Sequence, residues 1–390
     1  MQEADIAIIG GGLAGMAAAN IAAKTGLSIA HFAPIVRPDL RTSALMQPSV
    51  DILVRSGLVK DPAAIAEPLK NIRIIDATKR LFRAPETLFE ATEAGLDVFG
   101  WNFPNAALLH ELENQGKSYS NLTTLYSPVA NITRTDTGFT LVAEDGSAYG
   151  ARLLVGADGK NSRTRKFAAI STRAHTFAQS ALVCDLELER PLEETSVEFH
   201  YENGPFTLVP AGGNLANLVW IDTEKVLLGV TKVSTNEFRA LLAEKSQHLF
   251  GAVRVVNKPI VFPLTSLTVS VAGAKGVVLV GEAAHAFPPL GAQGLNLGLR
   301  DVADLATALE NVHEAVPHWA HDVSDAYAKA RSKDLARTGK LVDTLFKSLI
   351  SEFLPIQAGR AAGLWSLKLL PILRSKAFAV GMGAPQNRQP

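Results

Sequence analysis

The sequence predicts an α/β protein of two interleaved units, one built around a parallel sheet and the other mainly β, followed by a helical C-terminus. Three observations carry that expectation. A strand, a glycine turn, a helix and a second strand open the chain; alternating β-type segments fill its middle; from about Gln293 onward the pattern is mainly helical. At 390 residues, two packed domains fit better than one.

The elements follow in order. "DIAIIG" is rich in β-branched residues and ends in glycine, "LAGMAAANIAAKTG" reads as an alanine-rich helix closed by Gly26, and "LSIAHF" supplies the second strand. "TSALMQPSVDILVRSG" is expected to be helical and "NIRIID" β-like, and a further helix begins near Asn105. From "TTLYSPVANI" to "RLLVGADG" the chain reads as successive strands with turns at "TDTG" and "EDGS". Between Gln179 and Phe262, "SALVCDLEL", "SVEFHY" and "NLANLVWID" form a second sheet, interrupted by a helix at "NEFRALLAEKS". "GVVLVG" then returns as a buried type of strand. No internal repeat or low-complexity linker appears, an absence that a chain crossing back and forth between its two units would explain.

Composition narrows the function classes. The single cysteine, Cys184, rules out an intramolecular disulfide and a cysteine metal cluster, and fits a cytoplasmic protein with a buried, unreactive thiol. Lys and Arg balance Asp and Glu at 38 each, which gives no global basic charge for nucleic acid. The balance is uneven along the chain: residues 331–390 hold ten Lys and Arg against three acids. With the apolar residues of "FLPIQAGRAAGLWSLKLLPILRSKAFAVG", this region reads either as a terminal helix packed on the core or as a peripheral contact with an anionic inner membrane. The uncharged stretch from Ile6 to Ala23 is no signal core or membrane span, since glycines interrupt it and its flank is acidic.

Two glycine-rich segments and one turn carry the chemistry. Gly10, Gly12 and Gly15 form G-x-G-x-x-G between strand and helix: the first allows a tight turn, the second lets a pyrophosphate approach the backbone, and the third lets helix and strand pack closely. The acid expected to hold a ribose at the end of the second strand is missing; Ala33 stands there, leaving His31 or main-chain groups as substitutes. "LLVGADGKNSRTRK" is a strand ending at an Asp-Gly turn before a cationic helix. "GEAAHAFPPLGAQGLNLGLRD" brings backbone close to a ligand with few charged side chains, then opens a helix near Gln293.

Taken together, "GGGLAG", "GADGKNSRTR" and "GEAAHAFPPLGAQGLNLGLRD" resemble, in order and spacing, the single-component flavoprotein aromatic hydroxylases related to para-hydroxybenzoate hydroxylase. "RTSALMQPSVDILVRSGL" and "GWNFPNAALLHEL" are similar to segments of the branch that hydroxylates ubiquinone precursors, so the likeness covers nearly the whole chain. The resemblance implies a Rossmann-like FAD-binding domain (1–75, 98–178 and 263–330), an interleaved β-sheet domain for substrate (76–97 and 179–262) and a helical region at 331–390. It implies FAD contacts at Gly10, Gly12, Leu13, Ala14, Gly15, Arg41, Asn105, Val129 and Asp158, and along the second loop at Gly281, Glu282, Pro289, Gly291, Gly294, Leu295 and Asn296. From the residues alone, Arg41 also reads as a surface arginine, Asn105 as a helix cap and His285 as structural.

The implied reaction has NAD(P)H reduce FAD and leave, after which O₂ forms a flavin hydroperoxide that passes one oxygen to an activated aromatic ring. A prenylated phenol or quinone precursor is the implied substrate, within reach of a quinone-biosynthesis complex. No acid-base catalytic pair and no metal motif stands out in the sequence. Glu282 in place of the usual Asp, "GAQG" in place of "AGQG", and Ala33 depart from the family pattern. Those departures keep two alternatives open: a flavin-binding or flavin-less scaffold subunit, and a hydroxylase of small soluble phenols or polyketides.

Overall fold

A computed structural model describes residues 1–35, 39–79, 83–289, 292–310, 312, 316, 318–350 and isolated positions between 359 and 366. Strand β1 (Gln2–Ile9) leads through helix α1 (Leu13–Ala23) to strand β2 (Ile29–Phe32). The two strands pair in parallel from Ile6↔Ile29 to Ile9↔Phe32, and β1 pairs in parallel on its other side with Ala148–Gly156. This eight-stranded sheet extends outward through Val277–Leu279 on one side and Leu122–Leu125 on the other. A parallel strand covered on both faces must be apolar throughout, and Ile6, Ala7 and Ile8 are fully buried. Helix α1 is buried from Gly15 to Ala23, so the uncharged stretch is an interior strand followed by an interior helix. Among the described residues no helix is long and apolar enough to cross a membrane.

The second sheet has nine strands centred on Thr172–Leu188 and Leu215–Thr223, which pair antiparallel. Its side chains alternate between two faces. Leu182, Cys184, Leu186, Leu218 and Trp220 lie in one cluster with Leu227 and Leu242 of the helices Glu224–Val230 and Thr235–Lys245. Phe177, Ala181, Ile221 and Leu264 form the opposite face with Val219 and Phe262. Asn71–Asp76 and Thr87–Glu90 close one edge, so the first crossing begins at Asn71, and Thr172–Leu188 runs unbroken through residue 178.

One expectation of the sequence changes here. "TSALMQPSVDILVRSG" is not one helix: Thr42–Met46 is strand β3, paired with Gly100–Pro104, and helix α2 (Gln47–Arg55) starts only at the proline step. A Cβ on Gly100 would fall 2.0 Å from the Leu45 carbonyl oxygen, so this pairing depends on a glycine opposite. Helix Gln293–Leu309 packs on α1, α2 and the long helix Trp319–Ile350. That last helix is continuous through residue 331, so the C-terminal region begins as part of the first domain's packing. Most of residues 351–390, and with them most of the expected membrane-facing segment, lie outside the described residues.

Candidate active site

The glycine turn is fixed by collisions that any side chain would cause. Gly10 takes φ +134°, and a Cβ there would lie 2.1 Å from the Ala157 carbonyl oxygen; one on Gly15 would lie 2.0 Å from the Gly10 carbonyl oxygen. Gly12 differs. It precedes α1, a Cβ on it would meet no protein atom within 4 Å, and it lines a cavity of ≈ 620 Å³. The space before Gly12 is therefore open, and it faces the uncapped positive end of α1, whose first turn holds no acid.

The far wall of this cavity includes Val129, Asp158, Glu144 and Arg163. Asp158 lies at the wall, and its carboxylate braces its own turn: Oδ1 accepts from Ser162 Oγ at 2.5 Å and Oδ2 from the Thr164 amide at 3.0 Å. The Val129 carbonyl accepts from Arg163 Nη1 at 2.9 Å. Arg165 is buried and donates to the carbonyls of Ala283 (2.8 Å) and Lys160 (2.7 Å), tying this segment to the second glycine-rich loop. Ala33 is buried beside Gly11, with its Cα 3.2 Å from where a Gly11 Cβ would stand. His31 is no substitute for the missing acid: fully buried, it donates from Nε2 to the Gly10 carbonyl at 2.9 Å, and burial lowers its pKa.

The second loop meets α1 over small residues. A Cβ on Gly281 would come within 3.0 Å of Ala14 Cβ, and one on Gly298 within 3.7 Å of the same atom. Close packing here sets the start of α1 against the first turns of helix Gln293–Leu309. Ala292 caps that helix in the left-handed conformation (φ +55°), and its first turn carries no acid and no side-chain cap. Gly294 is exposed, and a Cβ there would meet nothing within 4 Å. Leu13 and Leu295 are half-buried in the first turns of their helices, Pro289 is exposed on the loop, and Gly291 lies outside the described residues. Asn296 has a different use from a side-chain ligand: its Oδ1 accepts from the Met46 amide and its Nδ2 donates to the Ala44 carbonyl, both at 2.9 Å, which clamps β3 to the helix.

Behind the loop sits an ionic centre that the sequence did not announce. Asp301 Oδ2 accepts from the Gly281 amide at 2.8 Å and from His285 Nε2 at 2.7 Å, while its Oδ1 lies 2.6 Å from Arg331 Nε. Asp301, His285 and Arg331 are each no more than 1% exposed. Arg331 also reaches Asp304 (2.8 Å) and Asp334 (2.9 Å). Burial alone would lower the Arg331 pKa, yet the carboxylates around it, Asp301 foremost, raise it above the ordinary arginine value. The structural reading of His285 holds in this geometry. Arg331 is interior and cannot belong to a basic surface.

Arg41 and Asn105 belong to one exposed-to-buried cluster. Arg41 Nε and Nη2 both bond Asp39 at 2.8 Å, Asn105 Nδ2 donates to Asp39 Oδ2 at 2.8 Å, and Ser43 Oγ donates to Asn105 Oδ1 at 2.7 Å. Asn105 is the first residue of helix α3 (Asn105–Gly116), and its side chain does not cap it. Burial would raise the Asp39 pKa, but hydrogen bonds from Arg41 and Asn105 outweigh it and hold the carboxyl below its usual value. The Asp39 carboxylate raises the Arg41 pKa, and the charge of Glu282 adds to it. Asp39, two residues before Arg41, was the available sequence signal for this cluster.

The glycine cradle, the two uncapped helix starts and the cavity fit FAD: they offer close backbone and dipoles to a pyrophosphate and a flat ring. Fold and site together define a two-domain FAD-dependent oxidoreductase. The chain belongs to the FAD binding domain family, whose model matches residues 3–338. It is 28% identical to the 3-demethoxyubiquinol 3-hydroxylase of Escherichia coli, over 98% of this chain and 99% of that protein. It is likewise 28% identical to ubiquinone hydroxylase UbiL of Rhodospirillum rubrum, over 98% and 90%. Among solved structures, Klebsiella pneumoniae HpxO complexed with FAD and uric acid superposes with a TM-score of 0.78 at 15% identity, covering 97% of each chain. The FAD-binding fold expected from the sequence is the one found, and the protein is an FAD-dependent enzyme with the fold of flavoprotein monooxygenases.

Proposed function

We propose that this protein hydroxylates the aromatic ring of a prenylated ubiquinone precursor, using NAD(P)H and O₂. The observation that supports this most is the end-to-end similarity to two ubiquinone-ring hydroxylases, which spans both the flavin cradle and the second sheet. FAD, when bound, supplies the redox chemistry and the activation of oxygen. The chain's own residues supply setting. The N-terminus of helix Gln293–Leu309, with no acid and no side-chain cap in its first turn, would offer its unneutralised amides to the negative charge of a reduced flavin. Asp301 and Arg331 hold the Gly281 turn in place from behind.

The sheet face bearing Val219, Ile221 and Phe262 fits a greasy substrate. On that same face Asn217 Oδ1 accepts from Thr42 Oγ1 of β3 and from Asn102 Nδ2, both at 2.8 Å, so this face is turned toward β3 and its partner strand Gly100–Pro104. An apolar wall there excludes water and leaves ring orientation to a few polar groups.

The test is FAD reconstitution followed by NADH or NADPH oxidation with and without a prenylated phenol, with the product ring analysed by mass spectrometry. Stimulation together with one added oxygen supports the reading. Failure to bind FAD would mark a scaffold, and stimulation by tail-less phenols alone would move the substrate class. We extend the reading to peripheral contact with an anionic membrane and membership of a quinone-biosynthesis complex, supported by the basic composition of residues 332–390. Co-sedimentation with anionic vesicles that survives removal of the last thirty residues (~30, a length on the scale of such interfacial segments) would refute the membrane contact.

A further inference from the structure

The adenosine half of FAD carries hydroxyl and amino donors, and the residue that ordinarily accepts from it is absent here. Ala33 has no oxygen on its side chain, and His31 is committed to Gly10. Two carboxylates line the cavity that Gly12 opens into, Asp158 and Glu144. Asp158 already accepts three hydrogen bonds from Ser162 and Thr164, two of them on Oδ2, whereas Glu144 accepts none from the described residues. Glu144 is exposed and its carboxylate has no hydrogen bond or ion pair among the described residues, while its amide is pinned to the Pro128 carbonyl at 2.9 Å. That bond holds Glu144 next to Val129, and Arg163, tethered to the Val129 carbonyl, lines the same wall.

We propose that Glu144 is the carboxylate that accepts hydrogen bonds from the adenosine half of FAD, doing from the hairpin turn what the end of β2 does not do in this chain. A carboxylate accepting from a ligand hydroxyl or amino group is a charge-assisted bond, stronger than its neutral counterpart. Glu144 is surface-exposed and its backbone bonds do not use the side chain, so its truncation leaves the fold intact.

The proposal rests on the cofactor being FAD, and FMN, which lacks the adenosine, separates the two. Flavin fluorescence quenching on the apoprotein measures both affinities. For Glu144→Ala the FAD dissociation constant is expected to rise about tenfold to a hundredfold, with FMN affinity and the melting temperature of the apoprotein unchanged. Wild-type FAD affinity in Glu144→Ala, or an equal loss for FAD and FMN, overturns the assignment of Glu144. A wild-type apoprotein that binds neither flavin overturns the cofactor reading itself.

Discussion

Replacing Arg331 with methionine should be the most damaging conservative-volume change in this protein. It would leave Asp301, 0% exposed, with the Gly281 amide and the His285 ring but without its guanidinium. Removing one partner of a buried ion pair costs about 3–5 kcal/mol, because the remaining charge stays out of water. At about 2 °C per kcal/mol for a chain of this size, that is a loss of roughly 6–10 °C in melting temperature. Asp301 also fixes the Gly281 turn, so FAD affinity should fall alongside stability. Thermal unfolding of Arg331→Met with and without FAD measures both. The double variant Asp301→Asn with Arg331→Met removes the stranded charge and should recover at least half of the loss. A melting temperature for Arg331→Met within about 1 °C of wild type, or a double variant whose losses simply add, would refute the reasoning.

Three other outcomes follow from the same geometry. Gly12→Ala should keep the apoprotein's melting temperature and weaken FAD by about tenfold or more, because its methyl enters only ligand space; Gly10→Ala, which strikes Ala157 and takes φ +134°, should destabilise the apoprotein itself. Ala292→Gly should raise stability by about 1 kcal/mol, since Ala292 holds φ +55° without glycine's freedom, and a melt of the variant checks it. His31, whose pKa is lowered in the fold by burial, binds fewer protons folded than unfolded, so stability is lost as pH falls below about 6.5. His31→Gln, which can still donate to the Gly10 carbonyl, should flatten that part of the pH-stability profile.

Motif-bearing backbone was legible because its requirements are local. The turn through Gly10, Gly12 and Gly15 was read from spacing alone, and so was the start of a helix at Gln293. The expected turns at "TDTG" and "EDGS" also fall between strands. Cys184 was read as inert, and burial pushes its thiol up to about 12. Other residues were misread for want of partners far along the chain. Thr42–Met46 has a helix-like local pattern, yet pairing with Gly100–Pro104 and the clamp from Asn296 make it a strand. The Asn296 side chain braces β3, a use no local pattern shows, and Arg331, counted with the basic C-terminal region, is a buried counter-ion.

By itself, then, the sequence determined which stretches must come close to a ligand, since only glycine permits that backbone, and which strands must be interior, since their apolar runs are unbroken. Tertiary structure alone decided which polar side chains remain available to a ligand. A carboxylate or amide is consumed or spared by whatever residue the fold lays against it, and for Asp158, Asn296, Asp301 and Glu144 that outcome depends on hydrogen-bond partners whose positions no local pattern encodes.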